Sequence, residues 1–275
     1  MSKLRFLALT VMVLASLSAT AQHNSRRTLS LAVSEGTSGG IDADAAKAKY
    51  QPLADQMGRV MGTEVKVVFV REFAALEKGM KENQYDLVLA RPSDYPARGL
   101  RDYHYQFVAT AKPDGRCALV VPKDSPIKSV ADVKGKIIIM PEKNAYMTRF
   151  CRAELRDKGI LLDNENVSYV REQGAIPFSL ENGITQVGGI ASYSGAYGQW
   201  TKKGHRIVHE SVAQPYLPVV ASPSLSAEQV AKAQEALVGL GNSEAGKQVL
   251  QKVGVTGFVA TEEARLRKLL EWLGV

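Results

Sequence analysis

Residues 117–136 read Cys-Ala-Leu-Val-Val-Pro-Lys-Asp-Ser-Pro-Ile-Lys-Ser-Val-Ala-Asp-Val-Lys-Gly-Lys. Cys117 to Val121 is an apolar run of strand length. Ser129 opens a short helical turn with Asp132 at its third position, the arrangement of a capping box. Gly135 then precedes a further apolar run, Ile137 to Met140. Upstream, Phe107 to Ala111 is a second extended run, and Pro113-Asp114-Gly115 reads as the turn between it and Cys117. A strand pair followed by a capped turn and another strand marks a change of pattern in the chain.

Before this stretch, strands and helices alternate. Thr28 to Val33 is a β-branched and apolar run ending in the loop Ser34 to Gly40. Tyr50, Leu53, Ala54, Met57, Val60 and Met61 recur at helical spacing, and Gly62 is placed to end that helix. Val65 to Val70 reads as a buried strand. Phe73, Leu76 and Met80 mark one face of a second helix, with the strand Tyr85 to Ala90 beyond it. This β-α-β-α-β order predicts a parallel sheet covered by helices.

After residue 136 the alternation resumes. A helix over 145–158 buries Met147, Phe150, Cys151 and Leu155, with Gly159 at its end. Val167 to Val170, a short helix to Glu181, Val187 to Ala191 and a helix through Trp200 complete a second α/β set. Tyr216 to Ala221 is expected as a strand returning to the first set. The tail is helical: Ser226 with Gln229 forms a capping box, and two more helices run over 243–253 and 261–273, expected on the outer flank of the first set. There is no internal repeat and no low-complexity linker. The expectation is an α/β protein of two lobes, residues 22–111 with 214–275 and residues 112–213. Crossover strands near Val108 to Ala111 and Ala213 to Val219 join them, with a cleft between lobes at the strand carboxyl ends.

Composition narrows the class. Lys3 and Arg5, the apolar stretch Phe6 to Leu17 and the small residues Ala19-Thr20-Ala21 form a cleavable export signal over 1–21. That apolar stretch is shorter than the roughly 20 residues needed to span a bilayer. The formal charge of +7 falls to about +5 without Lys3 and Arg5, and the excess is spread along the chain. No Lys/Arg tract of the kind that follows a nucleic-acid backbone is present, so no nucleic-acid partner is expected. For an exported chain, both a single Cys117–Cys151 disulfide and two buried free thiols are open. The four histidines, His23, His104, His205 and His209, have no metal-ligand spacing on a helix. There is no Gly-x-Ser-x-Gly elbow and no Walker loop. Neither an enzyme nor a cofactor is expected, and the protein is expected to be a monomer.

The segment 117–136, together with Tyr50-Gln-Pro-Leu-Ala-Asp55, Gly62 and Val65, resembles the type II periplasmic binding proteins of the phosphate, phosphite and phosphonate transport group. In that group a strand, an Asp-Ser-Pro-Ile turn and a Lys-Gly-Lys element open the second lobe. The resemblance implies a periplasmic protein that holds a small oxyanion between its lobes for the permease of an ABC importer. The same fold serving a membrane sensor protein is the alternative. Helix N-termini and hydroxyls suit such an anion, and hinge closure couples binding to shape.

Carried over by position, the resemblance nominates four places: Ser34 to Thr37; Arg91, Ser93 and Tyr95; Asn144, Tyr146 and Thr148; and Gln173 with Ser192 and Tyr193. Each has a structural alternative. Ser34 and Ser192 could cap helices, Tyr95 could pack at the sheet edge, and Arg91 could pair with Asp94. Two departures are visible. Asn144-Ala145-Tyr146 stands where a Ser/Thr-rich cradle is expected. The run Gln186 to Ala191 lacks the acid that would suit a ligand ammonium, so an aminoalkylphosphonate is disfavoured.

Overall fold

Alternation in the first third of the chain becomes a parallel core. In the computed structural model, residues 27–37 and 40–275 are described; the expected signal segment, with His23, lies outside them. β1 (Leu29–Ser34), α1 (Ala43–Met61), β2 (Val65–Phe69), α2 (Phe73–Lys81), β3 (Leu87–Ala90) and α3 (Asp94–Asp102) follow in order. β1 lies between β2 and β3 and is parallel to both. Asp42 caps α1 by accepting from Ala45 N at 2.8 Å, and Gly62 ends it at φ +68°. β2 is not the buried strand its apolar run suggests. It sits at the sheet edge, with Lys66 and Val68 exposed, because among the described residues no strand pairs with its outer side.

β4 (Gln106–Gly115) and β5 (Cys117–Val121) follow with only Arg116 between them. Pro113-Asp114-Gly115 is therefore not a hairpin turn. β4 keeps its ladder through these residues, with Gln214 opposite Gly115 and Gly257 opposite Lys112. Asp114, a turn former by type, is instead pinned by Lys112 at 2.7 Å and Arg265 at 2.9 Å. β4 belongs to the first sheet and β5 to the second.

The second sheet is built from β6 (Ile137–Pro141), α4 (Tyr146–Asp157), β7 (Asn166–Val170), α5 (Ile176–Glu181), β8 (Val187–Ala191), α6 (Gly195–Lys202) and β9 (Arg206–Glu210), in the order β7-β6-β8-β5-β9. β10 (Gln214–Ala221) returns to the first sheet, and α7 (Ala227–Val238), α8 (Glu244–Val253), β11 (Gly257–Val259) and α9 (Glu263–Leu273) complete it as β11-β4-β10-β3-β1-β2. β10 is a central strand that contains Pro215 and Pro218. It accommodates them through register shifts at Gln214/Tyr216 and Tyr216/Val219, since proline is tolerated inside a sheet at bulges.

Period-two burial explains the layers. Leu31, Val33, Leu87 and Leu89 pack under α1, α7 and α8. Ala32, Val88 and Ala90 face the opposite way, into a cluster that includes α2, α3 and the leucines of α9. That cluster continues into the second sheet through Met147, Phe150, Cys151 and Leu155 of α4. α7 and α8 thus cover the first sheet as expected, but α9 does not lie on an outer flank. It sits against α3 and α4 together, with Trp272 edge-on to Phe150 at 5.2 Å, because its Leu266, Leu269, Leu270 and Leu273 bury into the cluster shared by both sheets.

Cys117 of β5 and Cys151 of α4 are joined, with Cα atoms 5.3 Å apart. Gly189 makes room for this: an added Cβ would lie 2.3 Å from Met140 Sδ and 3.0 Å from Cys151 Sγ. The bridge spans 34 residues of sequence, so its loss releases that loop in the unfolded chain. The Cys117→Ala/Cys151→Ala variant should lose about 2–4 kcal/mol. Urea unfolding with and without reductant checks this, with the reductant acting on the wild type alone.

Candidate functional site

The register of β1 on β3 places Ser34 opposite Ala90. The next residues, Glu35 and Arg91, therefore leave the sheet side by side at its carboxyl edge. Arg91 N donates to Ser34 O at 2.9 Å, and Arg91 Nε lies 2.6 Å from Glu35 Oε2. α1 adds two donors to the same carboxylate, Tyr50 OH at 2.6 Å and Lys49 Nζ at 2.8 Å, both on Oε1. Glu35 and Arg91 are both buried.

The second sheet closes over this cluster. Arg91 Nη1 donates to Tyr193 O at 3.3 Å, and the guanidinium lies 5.7 Å and 5.8 Å from the ring centroids of Tyr193 and Tyr216, within cation–π range. Those two rings stack at 4.1 Å. Gly115 permits the stack, since a Cβ there would come within 2.8 Å of the Tyr193 ring. A few residues away, Gln173 N donates to Thr37 O at 3.0 Å and Gln173 Nε2 to Thr37 Oγ1 at 3.3 Å. Arg149 of α4 reaches across to Asp94 of α3 at 2.7 Å.

Between these contacts lies a cavity of about 10 Å³ lined by Glu35, Thr37, Arg91, Tyr146, Gln173 and Tyr193, with Phe73 and Met147 as apolar wall. It has room for about one water. Beyond Gln173 and Thr37 the cleft widens into a second space of about 190 Å³, bordered also by Glu172, Gly195 and Gln199. The arrangement is suited to binding: hydroxyls, an amide and one guanidinium converge between two bodies. Nothing in it pairs a nucleophile with a base.

The expected residues separate into two groups. Thr37, Arg91, Tyr146, Gln173 and Tyr193 line the first cavity. Arg91 pairs with Glu35 rather than with Asp94, which is held instead by Arg149 and Arg98. The others lie elsewhere. Ser34 is buried, its hydroxyl without a hydrogen-bond partner among the described residues. Ser93 Oγ donates to Pro215 O at 2.9 Å and so fastens α3 to β10. Tyr95 stacks on Phe73 at 5.6 Å in the first lobe's core. Asn144 is exposed. Thr148 Oγ1 donates to Pro141 O at 3.0 Å, and Ser192 Oγ accepts from Arg116 N at 3.1 Å. Neither serine caps a helix; the cap of α6 is Ser194, which accepts from Tyr197 N. Lys49, Tyr50 and Tyr216 are additions, and Glu35 falls inside the expected stretch Ser34 to Thr37 as an acid rather than a donor. For Glu35 alone the strand alignment carries a signal, because pairing Val33 with Leu89 sets residue 35 beside residue 91.

Electrostatics make the cluster more than packing. Burial alone would raise the Glu35 carboxyl; the charges of Arg91 and Lys49, with hydrogen bonds from Lys49 and Tyr50, outweigh it and hold the group below its ordinary value. Asp94 behaves oppositely: its complete burial outweighs Arg149 and Arg98 and pushes it up. Burial drives the Tyr193 hydroxyl well above 10 and the Tyr216 hydroxyl up to about 12, so both rings act as neutral donors.

The family model described as "ABC transporter, phosphonate, periplasmic substrate-binding protein" matches residues 40–266. The chain belongs to this family. It is a family of binding proteins, not of enzymes, and it places the chain in the periplasm. Among solved structures, PhnD1 from Prochlorococcus marinus in complex with methylphosphonate has a TM-score of 0.72 at 13% identity, over 89% of this chain and 96% of that one. A Xanthomonas citri protein bound to ATP gives 0.71 at 15% identity, over 90% and 97%. A binding-protein component of an ABC phosphonate transporter from Pseudomonas aeruginosa gives 0.66 at 16%, over 90% and 85%. No curated protein matches the chain. The fold is the two-lobed type II periplasmic binding fold. Among the described residues no helix is long and apolar enough to cross a membrane.

Glu35 gives a pH signature with a definite sign. Its folded value lies below the ordinary 4.5, so its stabilisation is complete above pH 4.5 and is lost as pH falls through the folded value. Glu35→Gln should cost about 3–5 kcal/mol near neutrality, since it leaves buried cations unpaired. The gap from wild type should shrink below pH 4.5, as followed by denaturant unfolding across pH 3–7.

Proposed function

We propose that this protein captures a small oxyanion of the phosphonate class in the cleft between its lobes and delivers it to the permease of an ABC importer. The observation that carries the reading is Arg91, a buried guanidinium at the carboxyl edge of the first sheet that also bonds to the second lobe at Tyr193. A guanidinium donates in a planar fork matched to phosphonate oxygens. Thr37, Tyr146, Gln173 and Tyr193 supply neutral donors around the same cavity. The family description is that of an importer's binding protein, which supports delivery over a sensor role. A monomer suits that task, with residues 22–111 and 214–275 as one lobe and residues 112–213 as the other.

As the lobes stand, the first cavity admits only a water-sized guest, so capture requires them to part. Entry would separate Gln173 from Thr37 and Arg149 from Asp94, and closure would bring the lobes back around the ligand at a wider spacing. The 190 Å³ space beside Gln173 offers room for an organic substituent on the oxyanion.

Thermal unfolding of the exported protein against phosphate, phosphite, methylphosphonate, sulfate and small carboxylates tests the reading. A ligand at about 100 times its dissociation constant stabilises by roughly 2.7 kcal/mol. Methylphosphonate or a close relative should raise the midpoint, and Arg91→Gln should abolish that rise. If no oxyanion shifts the midpoint, the oxyanion reading fails.

A further inference from the structure

Arg91 is the guanidinium that lines the cavity, and it arrives already paired. Its partner Glu35 lines the same cavity and is fixed in place rather than tethered loosely. Three donors from two elements hold it: Lys49 and Tyr50 from α1, and Arg91 at the end of β3. An oxyanion entering here therefore meets a carboxylate as well as a guanidinium.

Charge counting then limits the guest. Facing Glu35 are Lys49, Tyr50, Arg91 and Tyr216 of β10, and Tyr193 of the second lobe lines the same cavity. Burial keeps all three tyrosines neutral through the neutral range. Lys49 is held below its ordinary value by burial and by Arg91, against the pull of Glu35. With Lys49 charged, the two cations and one anion among the described residues leave a single positive charge. The neighbouring group of Asp94, Arg149, Arg98 and Glu77 is balanced by its own pairs and adds no surplus. The adjoining space sets Arg71 and Arg171 against Glu72, Glu142 and Glu172 and adds no positive surplus. Among the described residues, one negative charge on the ligand therefore completes neutrality, and a second meets no surplus cation.

We infer that Glu35 is a specificity-determining residue that restricts the interlobe site to singly charged oxyanions and turns away dianions. The inference rests on the oxyanion reading above and deepens it. A phosphonate changes from monoanion to dianion near neutral pH, so the binding-competent fraction of the ligand falls as pH rises, and apparent affinity falls with that fraction.

Titration calorimetry from pH 6 to 8.5 with methylphosphonate and methanesulfonate tests it. The sulfonate is singly charged throughout and reports any titration of the protein itself. Wild-type affinity for methylphosphonate, taken relative to the sulfonate, should fall towards about tenfold per pH unit once the ligand's second ionisation is passed. Glu35→Gln should abolish or reverse that slope, because the surplus becomes two charges. The double variant Glu35→Gln/Lys49→Met returns the surplus to one and should regain the wild-type slope, which separates charge balance from the shape of the glutamate. It also supplies a folded comparison if the single variant does not fold. A wild-type affinity that is level or rises with pH relative to the sulfonate overturns the inference and leaves the oxyanion reading standing. So does a Glu35→Gln slope equal to wild type. Failure of wild type to bind either ligand at any pH overturns both.

Discussion

The antiparallel ladder between β4 and β10 is the constraint on which the arrangement depends. Both strands lie inside the first sheet, and each continues into the second sheet after a short link, residue 116 on one side and residues 211–213 on the other. Two adjacent links fix where the second lobe can sit while leaving its tilt adjustable. They also set Tyr216 of β10 under Tyr193, and leave Gly115 of β4 as the only residue type that lets that ring approach. The irregular register of β10, with Leu217 at φ +47°, places the strain of the crossover where both lobes meet.

A second constraint is electrostatic. Parallel pairing of β1 and β3 forces a carboxylate and a guanidinium out of the sheet together, and burial then makes each depend on the other. A site built from neutral helix ends would let any oxyanion supply the missing charge. Here part of that charge is built into the chain. The family's fold and the local charge arrangement are thus separate: the first is shared with other binding proteins, the second belongs to the residues that follow β1 and β3 in this chain.

Much of this was legible in residues, and the failures have physical causes. The alternation through Leu31, Val33, Leu87 and Leu89 announces a sheet with two covered faces, and Ser226 with Gln229 marks a helix start that the structure keeps. Pro113-Asp114-Gly115 misled because turn propensity is local, whereas Asp114 is claimed by Lys112 and Arg265, the latter 151 positions away. Val65 to Val70 looked buried because apolar content does not say which strand lies at an edge. In the site, Thr37, Arg91 and Gln173 were found as residues that follow strands or open helices. Tyr95 was misplaced because its position one residue inside α3 turns the ring towards Phe73. Glu35 lies in the expected stretch Ser34 to Thr37, but an acid is no anion donor by type, and it is the strand register that sets it beside Arg91.

The placement of α9 has a mechanical consequence. Its leucines enter the cluster shared by the two sheets, Trp272 meets Phe150 edge-on, and Trp272 Nε1 donates to Asp157 at the end of α4 at 2.7 Å. The helix therefore works as a bearing between the lobes rather than as a buttress behind one of them. If the lobes move about the β4/β10 links, sliding of α4 along this surface would keep apolar contact that separation would expose to water. Through Phe150, Trp272 stands two ring contacts from Tyr146 in the cavity wall, so the packing of α9 bears on the site itself.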